Sequence, residues 1–132
     1  YQIIVHGNYQ LRPQPETVEL AIEGKAACSH FSHLDYDKTR NLSLLRVNIE
    51  SGRKHQIRVH AASIGFPVLG DRLHGEQQSP IEQESDLSIN QQVNLQLCAV
   101  ALKFNCPLSN VERDFVLPAA MCPQLNQLSE VI

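Results

Sequence analysis

Several absences narrow this 132-residue sequence before any motif is weighed. No apolar run is long enough to span a bilayer, because polar residues interrupt every candidate within a few positions; a spanning helix needs about 20 such residues in a row. There is no initiator Met, no basic leader and no long apolar segment behind the opening Tyr-Gln-Ile-Ile-Val. A secretory signal is therefore not expected, and the natural amino terminus is expected to lie upstream. None of the four cysteines, Cys28, Cys98, Cys106 and Cys122, stands in a C-x-x-C pair. Zinc spacing has little support, and no metal site or cofactor is expected. A disulfide scaffold does not suit a chain of this kind either; the thiols read as reduced residues in or near a core, in a cytoplasmic protein. Internal repeats and low-complexity segments are missing too, beyond a mild Gln bias near residues 77 to 92. Net positive charge is also lacking: the chain carries −3, with a pI near 6.0.

What is present suits one folded domain or a large part of one. Hydrophobic residues reach 42%, enough to build a core. Short β-type segments dominate. Tyr1 to His6 reads as a strand closed by Gly7, and Asn8 to Pro15 as a loop. Val18 to Ile22 is a possible strand, and Ala27 to Leu34 a further one. Asp35 to Asn41 reads as a polar turn. In Leu42 to Ile49, Leu45, Val47 and Ile49 alternate onto one face. Residues 27 to 49 thus predict an antiparallel hairpin. After Ser51-Gly52 the period changes: Ile57, Ala61 and Ile64 recur at helical spacing until Gly65-Phe66-Pro67 stops them. Residues 76–92 read as a surface loop insertion. Leu95 to Phe104 and Val111 to Leu117 predict a second hairpin, and Pro123 to Val131 a short C-terminal helix. The expected class is α+β, a mainly antiparallel (mixed) sheet of hairpins.

The densest cluster of chemistry runs from Ser51 to His60. Residues 52 to 75 hold Arg53, Lys54, Arg58 and Arg72 against Asp71 alone, a local +3 that leaves −6 for the rest of the chain. Local potential, not net charge, is what a phosphate backbone meets. A helix start with unpaired N–H groups and flanking cations can hold an anion. By spacing alone, a structural ion-pair corner explains the same residues slightly better.

The wording of the segment adds more. Gly52-Arg53-Lys54-His55-Gln56-Ile57-Arg58-Val59-His60, followed by Gly65-Phe66-Pro67-Val68-Leu69-Gly70-Asp71, resembles the G-R-x-H-Q-I-R-x-H…G-x-P-[IV]-x-G-D motif of RluA-type RNA pseudouridine synthases. Weaker matches flank it in family order. Tyr1 to Gly7 resembles Y-x-A-x-V-x-G, with Ile3 for Ala. Gly24 to Phe31 resembles G-K-x-A-x-T-x-[YF], with Ser29 for Thr. Leu97-Cys98-Ala99 through Cys106-Pro107 and on to Phe115-Val116-Leu117-Pro118 is similar to the family's L-H-A…L-x-F-x-H-P…F-x-A-P end, with Cys98 and Cys106 where His is usual.

The resemblance implies the carboxy-terminal portion of a synthase catalytic domain spanning residues 1–132, acting on rRNA or tRNA, monomeric and without membrane contact. It implies that Tyr1 and Arg58 are catalytic: Tyr1 touches the flipped base, and Arg58 pairs with the nucleophilic aspartate. That aspartate belongs to an H-R-L-D segment preceding the Tyr1 strand and not present in these residues, so the chain alone is expected to be inactive. Arg53, Lys54, His55 and Arg58 are the implied RNA contacts. His33-Leu34-Asp35 imitates H-R-L-D but lacks the Arg, and Asp35 reads as a hairpin-turn acid. His55 and Gln56 read as holding the corner by hydrogen bonds, and Asp71 as a turn or capping residue. Two other classes fit: a non-catalytic RNA-binding module on the same fold, or a structural α+β domain whose basic corner only stabilises it.

Overall fold

A computed structural model describes residues 1–74 and 94–128. Its main sheet has five strands in the order β2-β3-β4-β1-β5. These are β1 (Gln2–His6), β2 (Glu16–Val18), β3 (Ser29–Asp37), β4 (Leu42–Ile49) and β5 (Leu97–Cys98). Every pairing in it is antiparallel. One helix, α1 (Gln56–Ser63), follows β4. A separate two-stranded sheet pairs β6 (Ala101–Asn105) with β7 (Glu112–Val116). The described architecture is α+β with antiparallel sheets, as the alternation predicts. No helix among the described residues is long and apolar enough to cross a membrane.

Strand alternation places Ile3, Val5, Phe31, Leu45 and Val47 on the face covered by α1, where they meet Ile57 and Ala61. Ile3, Val5, Phe31, Leu45, Val47 and Ala61 are fully buried. Ile4, on the other side of β1, joins Leu42, Leu69 and Leu125 in a second cluster. The β3–β4 turn is built by Asp37, whose Oδ1 accepts the N–H groups of Thr39 (2.9 Å) and Arg40 (3.2 Å), while Asn41 takes the left-handed conformation at φ 53°. Asp35 is therefore not the turn acid: β3 runs on to Asp37, and Asp35 sits at a bulge beside His33.

Three further expectations change at their edges. β2 covers Glu16–Val18 rather than Val18 to Ile22, because the chain then turns so that the Leu20 carbonyl meets His60 Nε2 at 2.7 Å. The predicted strand from Leu95 to Phe104 breaks into β5 and β6, which belong to different sheets. The expected C-terminal helix is a 3-10 turn, Leu125–Leu128, with residues 129–132 outside the described range. The loop expected at 76–92 also lies outside it.

Gly70 is where the fold needs a glycine. Its φ is +82°, and a Cβ there would lie 2.4 Å from the Asn94 carbonyl oxygen. That close approach lets residues 69 and 96 share a backbone bond of 2.9 Å, while Leu69 N–H donates to Ile4 at 2.7 Å. Leu95 and Leu97 are thereby brought beside β1.

Candidate functional site

The corner between β4 and α1 is fastened by one glutamine. Gln56 is buried. Its Oε1 accepts from Ser51 Oγ (2.8 Å) and from Arg53 N–H (3.1 Å), and its Nε2 donates to the Cys28 carbonyl and to Ser29 Oγ, both at 2.9 Å. A four-bond amide leaves no polar atom of that side chain unsatisfied in the interior. Ser29 Oγ also meets buried His60 Nδ1 at 2.9 Å. Gln56 thus holds the corner as expected. The Arg53 N–H, however, is spent inside the protein instead of facing an anion.

His55 stands before α1 in the left-handed conformation (φ 54°, ψ 26°) and makes no side-chain cap bond. Its partner is His74, Nδ1 to Nε2 at 3.2 Å, with the rings edge to face. Desolvation, then the nearby charges of Arg58, His74 and Lys54, lower its pKa, which favours a neutral imidazole.

Arg58 projects one helical turn on and forms a two-pronged pair with Asp71: Nε to Oδ2 at 3.0 Å and Nη2 to Oδ1 at 2.6 Å. Asp71 is 1% exposed. Its Oδ1 also accepts the N–H groups of Leu73 and His74 at 3.0 Å. Burial would raise its pKa, but Arg58 and these backbone donors together hold it below the ordinary carboxylate value. Asp71 is thus the turn residue expected from the sequence and, in addition, the carboxylate that aims Arg58.

Tyr1 is half-buried and takes its place in the sheet: its backbone exchanges two 2.8 Å bonds with Val47, and its side chain packs against the main core. Tyr1, Arg53, His55 and Arg58 line one cleft of about 350 Å³, with Ile49, Ile57, Leu95 and Leu97 among its apolar walls. Residues 57 positions apart in the chain therefore share one cavity. Lys54 is exposed and does not line it. Arg53 is tied at Nε to the Ala26 carbonyl (2.9 Å), linking the corner to the Gly24-Lys25 segment.

This cleft pairs a phenol and apolar walls, which suit a flat ring, with a guanidinium held in a fixed plane. The RNA pseudouridylate synthase family matches residues 1–63. An uncharacterized RNA pseudouridine synthase of Aquifex aeolicus is 45% identical over 85 residues, covering 64% of this chain and 26% of that protein. The ribosomal large subunit pseudouridine synthase D of Yersinia pestis is 32% identical over 110 residues, covering 80% of this chain and 33% of that protein.

This chain belongs to the RluA-type RNA pseudouridine synthase family.

A solved structure, human RNA pseudouridylate synthase domain containing 1, shares the synthase fold with a TM-score of 0.67 at 20% identity, over 98% of this chain and 62% of that one. The chain spans about a quarter to a third of the length of the two curated synthases. Sequence reading missed His74 as the partner of His55, and Leu95 and Leu97 as cleft walls. The apolar alternation after residue 95 was a signal for a strand, but nothing local says that this strand lies beside β1.

Proposed function

We propose that the protein of which these 132 residues form a part isomerises uridine to pseudouridine in ribosomal or transfer RNA. The observation that carries this reading is the shared cleft of Tyr1 and Arg58. A base within a helix cannot be attacked, so it must be turned out into a pocket and held there. Tyr1 supplies an aromatic surface for the extruded uracil and stands where it can help remove the C5 proton. Arg58, kept in plane by Asp71, has guanidinium donors left over for the target nucleotide or for the nucleophilic carboxylate. Arg53, Lys54 and His55 bound the same corner and serve as RNA contacts. The nucleophile adds covalently, dividing one difficult step into two. No H-R-L-D segment occurs in these 132 residues. The proposal assigns the attacking aspartate to a segment outside them, so this chain by itself turns nothing over. The protein works in the cytoplasm as a monomer, and the isomerisation calls on no cofactor.

The test is release of tritium from RNA carrying C5-tritiated uridine. The full-length protein releases it; Arg58→Ala lowers the rate by at least a hundredfold, and Tyr1→Phe lowers it by less. Robust turnover by residues 1–132 alone would refute the assignment of the nucleophile. The basic corner of Arg53, Lys54 and Arg58 is also compatible with a second reading, a non-catalytic RNA-binding module. That reading requires salt-sensitive RNA binding by the isolated chain that weakens in Arg53→Ala and Arg58→Ala, without turnover in any longer form.

A further inference from the structure

On the face of the sheet away from α1, three potential ligands converge. Cys28 immediately precedes β3 and His30 is its second residue; the two are joined to β4 by the same ladder, so the strand alternation points them the same way. The β3–β4 register pairs Ser29 with Ile49 and continues with Glu50 N–H donating to the Cys28 carbonyl at 3.1 Å. Glu50 therefore lies across from Cys28, on the same face. Cys28 Sγ is 3.6 Å from His30 Nε2, and His30 Nε2 is 3.5 Å from Glu50 Oε2. All three ligand atoms fall within 4.8 Å of one another.

The two spacings to His30 Nε2 are close to those a tetrahedral ion imposes, and the third, within 4.8 Å, leaves the flexible Glu50 carboxylate room to close on it. With Zn–S near 2.3 Å and Zn–N or Zn–O near 2.0 Å, tetrahedral edges come to about 3.5 Å for S to N and about 3.3 Å for N to O. A second observation points the same way. His30 Nδ1 lies 2.9 Å from Thr17 Oγ1 on the neighbouring strand. An Nδ1–H donated to that hydroxyl leaves the Nε2 lone pair aimed between the thiol and the carboxylate, and metal-bound histidines are held in this way.

We propose that Cys28 Sγ, His30 Nε2 and a Glu50 carboxylate oxygen bind one divalent transition-metal ion of the zinc class, with water as the fourth ligand. This departs from the expectation of no metal site, which rested on the missing C-x-x-C spacing. Binding releases the Cys28 thiol proton to solvent and leaves a thiolate on the metal. The ion joins the beginning of β3 to the end of β4 on the side opposite the cleft. It takes no part in the isomerisation and adds a clasp behind the Ser51–Gly52 corner. The proposal does not depend on the functional reading above.

The test is titration of the intact chain with cobalt(II), then zinc(II). A single equivalent of cobalt producing tetrahedral visible bands and a thiolate-to-cobalt band in the near ultraviolet, displaced by zinc, is the expected result. Cys28→Ser removes the thiolate band. His30→Ala and Glu50→Gln each weaken binding at least tenfold, and Thr17→Val weakens it less. Zinc raises the melting temperature of the parent chain but not that of Cys28→Ser or His30→Ala. If Cys28→Ser folds poorly, Glu50→Gln, which keeps the side-chain shape, decides the matter alone. Octahedral cobalt bands, no stoichiometric binding, or a thiolate band that survives Cys28→Ser would overturn the site.

Discussion

The β3–β4 hairpin and the β6–β7 hairpin carry similar sequence signals and end in opposite surroundings. Each alternates apolar and polar residues about a polar turn. In β3 and β4, Phe31, Leu45 and Val47 are fully buried against α1 and the neighbouring strand, and Leu42 is fully buried on the other face against Ile4, Leu69 and Leu125, so the alternation has something to meet on both sides. In β6 and β7 every residue is exposed, Phe115 at 58% and Val116 at 74%. The second hairpin is held by its own ladder, a Phe104–Phe115 stack at 6.2 Å and a Leu117 to Val100 bond of 2.7 Å. Alternation therefore reports that a strand forms; a second layer decides whether it contributes to a core. Two strands without such a layer are marginal in water. The cleft follows the same division, since the residues that line it come from the residue leading into β1, the end of β4, the corner before α1, α1 itself and the segment carrying β5.

The largest effect should separate the two hairpins directly. Phe31→Ala opens a cavity in the main core and should cost about 3–5 kcal/mol in denaturant unfolding, whereas Phe115→Ala should cost less than about 1 kcal/mol. Equal losses would show that the second hairpin is as integrated as the first. Next, Arg58→Ala leaves Asp71 buried without its cation and should cost roughly 3 kcal/mol, read by the same unfolding curves; a loss below about 1 kcal/mol would mean that Asp71 finds another partner. The pair also sets a pH response. Asp71 has a depressed pKa in the fold, so its stabilisation is complete above the unfolded value of 3.8 and is lost as pH falls through the folded one. Asp71→Asn should accordingly be less stable than the parent at pH 6, with the difference shrinking toward pH 2; a constant difference would show that the carboxylate's charge is not what matters. The smallest effect belongs to the exposed hairpin: Lys103 and Glu112, 3.1 Å apart and both largely exposed, should lose less than about 1 kcal/mol on Lys103→Ala, and that loss should vanish in 1 M salt.

Much of the main sheet was legible in the chain. The β1 strand, the β3–β4 hairpin and α1 with its Gly65 stop all follow from period and punctuation, because each depends on neighbours within a few residues. The corner motif also announced Arg53, His55, Gln56 and Arg58, and the wording of the segment supplied the family resemblance that the comparisons uphold. What could not be read were the long-range pairings. Nothing in the residues around Asp71 shows that it will take both prongs of Arg58, or that Gly70 will lie against Asn94. Nor does Cys28-Ser29-His30 reveal Glu50, which joins them only once the register of β3 on β4 is set. The Arg53 N–H looked open to an anion because a sequence does not show that Gln56 folds back to occupy it.

By itself, then, the sequence determined the local elements, the basic corner and the family, since these rest on periodicity and on residues adjacent in the chain. Only the tertiary structure decided that β1 lies between β4 and β5, that Tyr1 and Arg58 open into one cleft, and that Asp71 orients the arginine. Strand order and cavity shape arise from burying both faces of the sheet at once, and that condition couples residues far apart that no local pattern can relate.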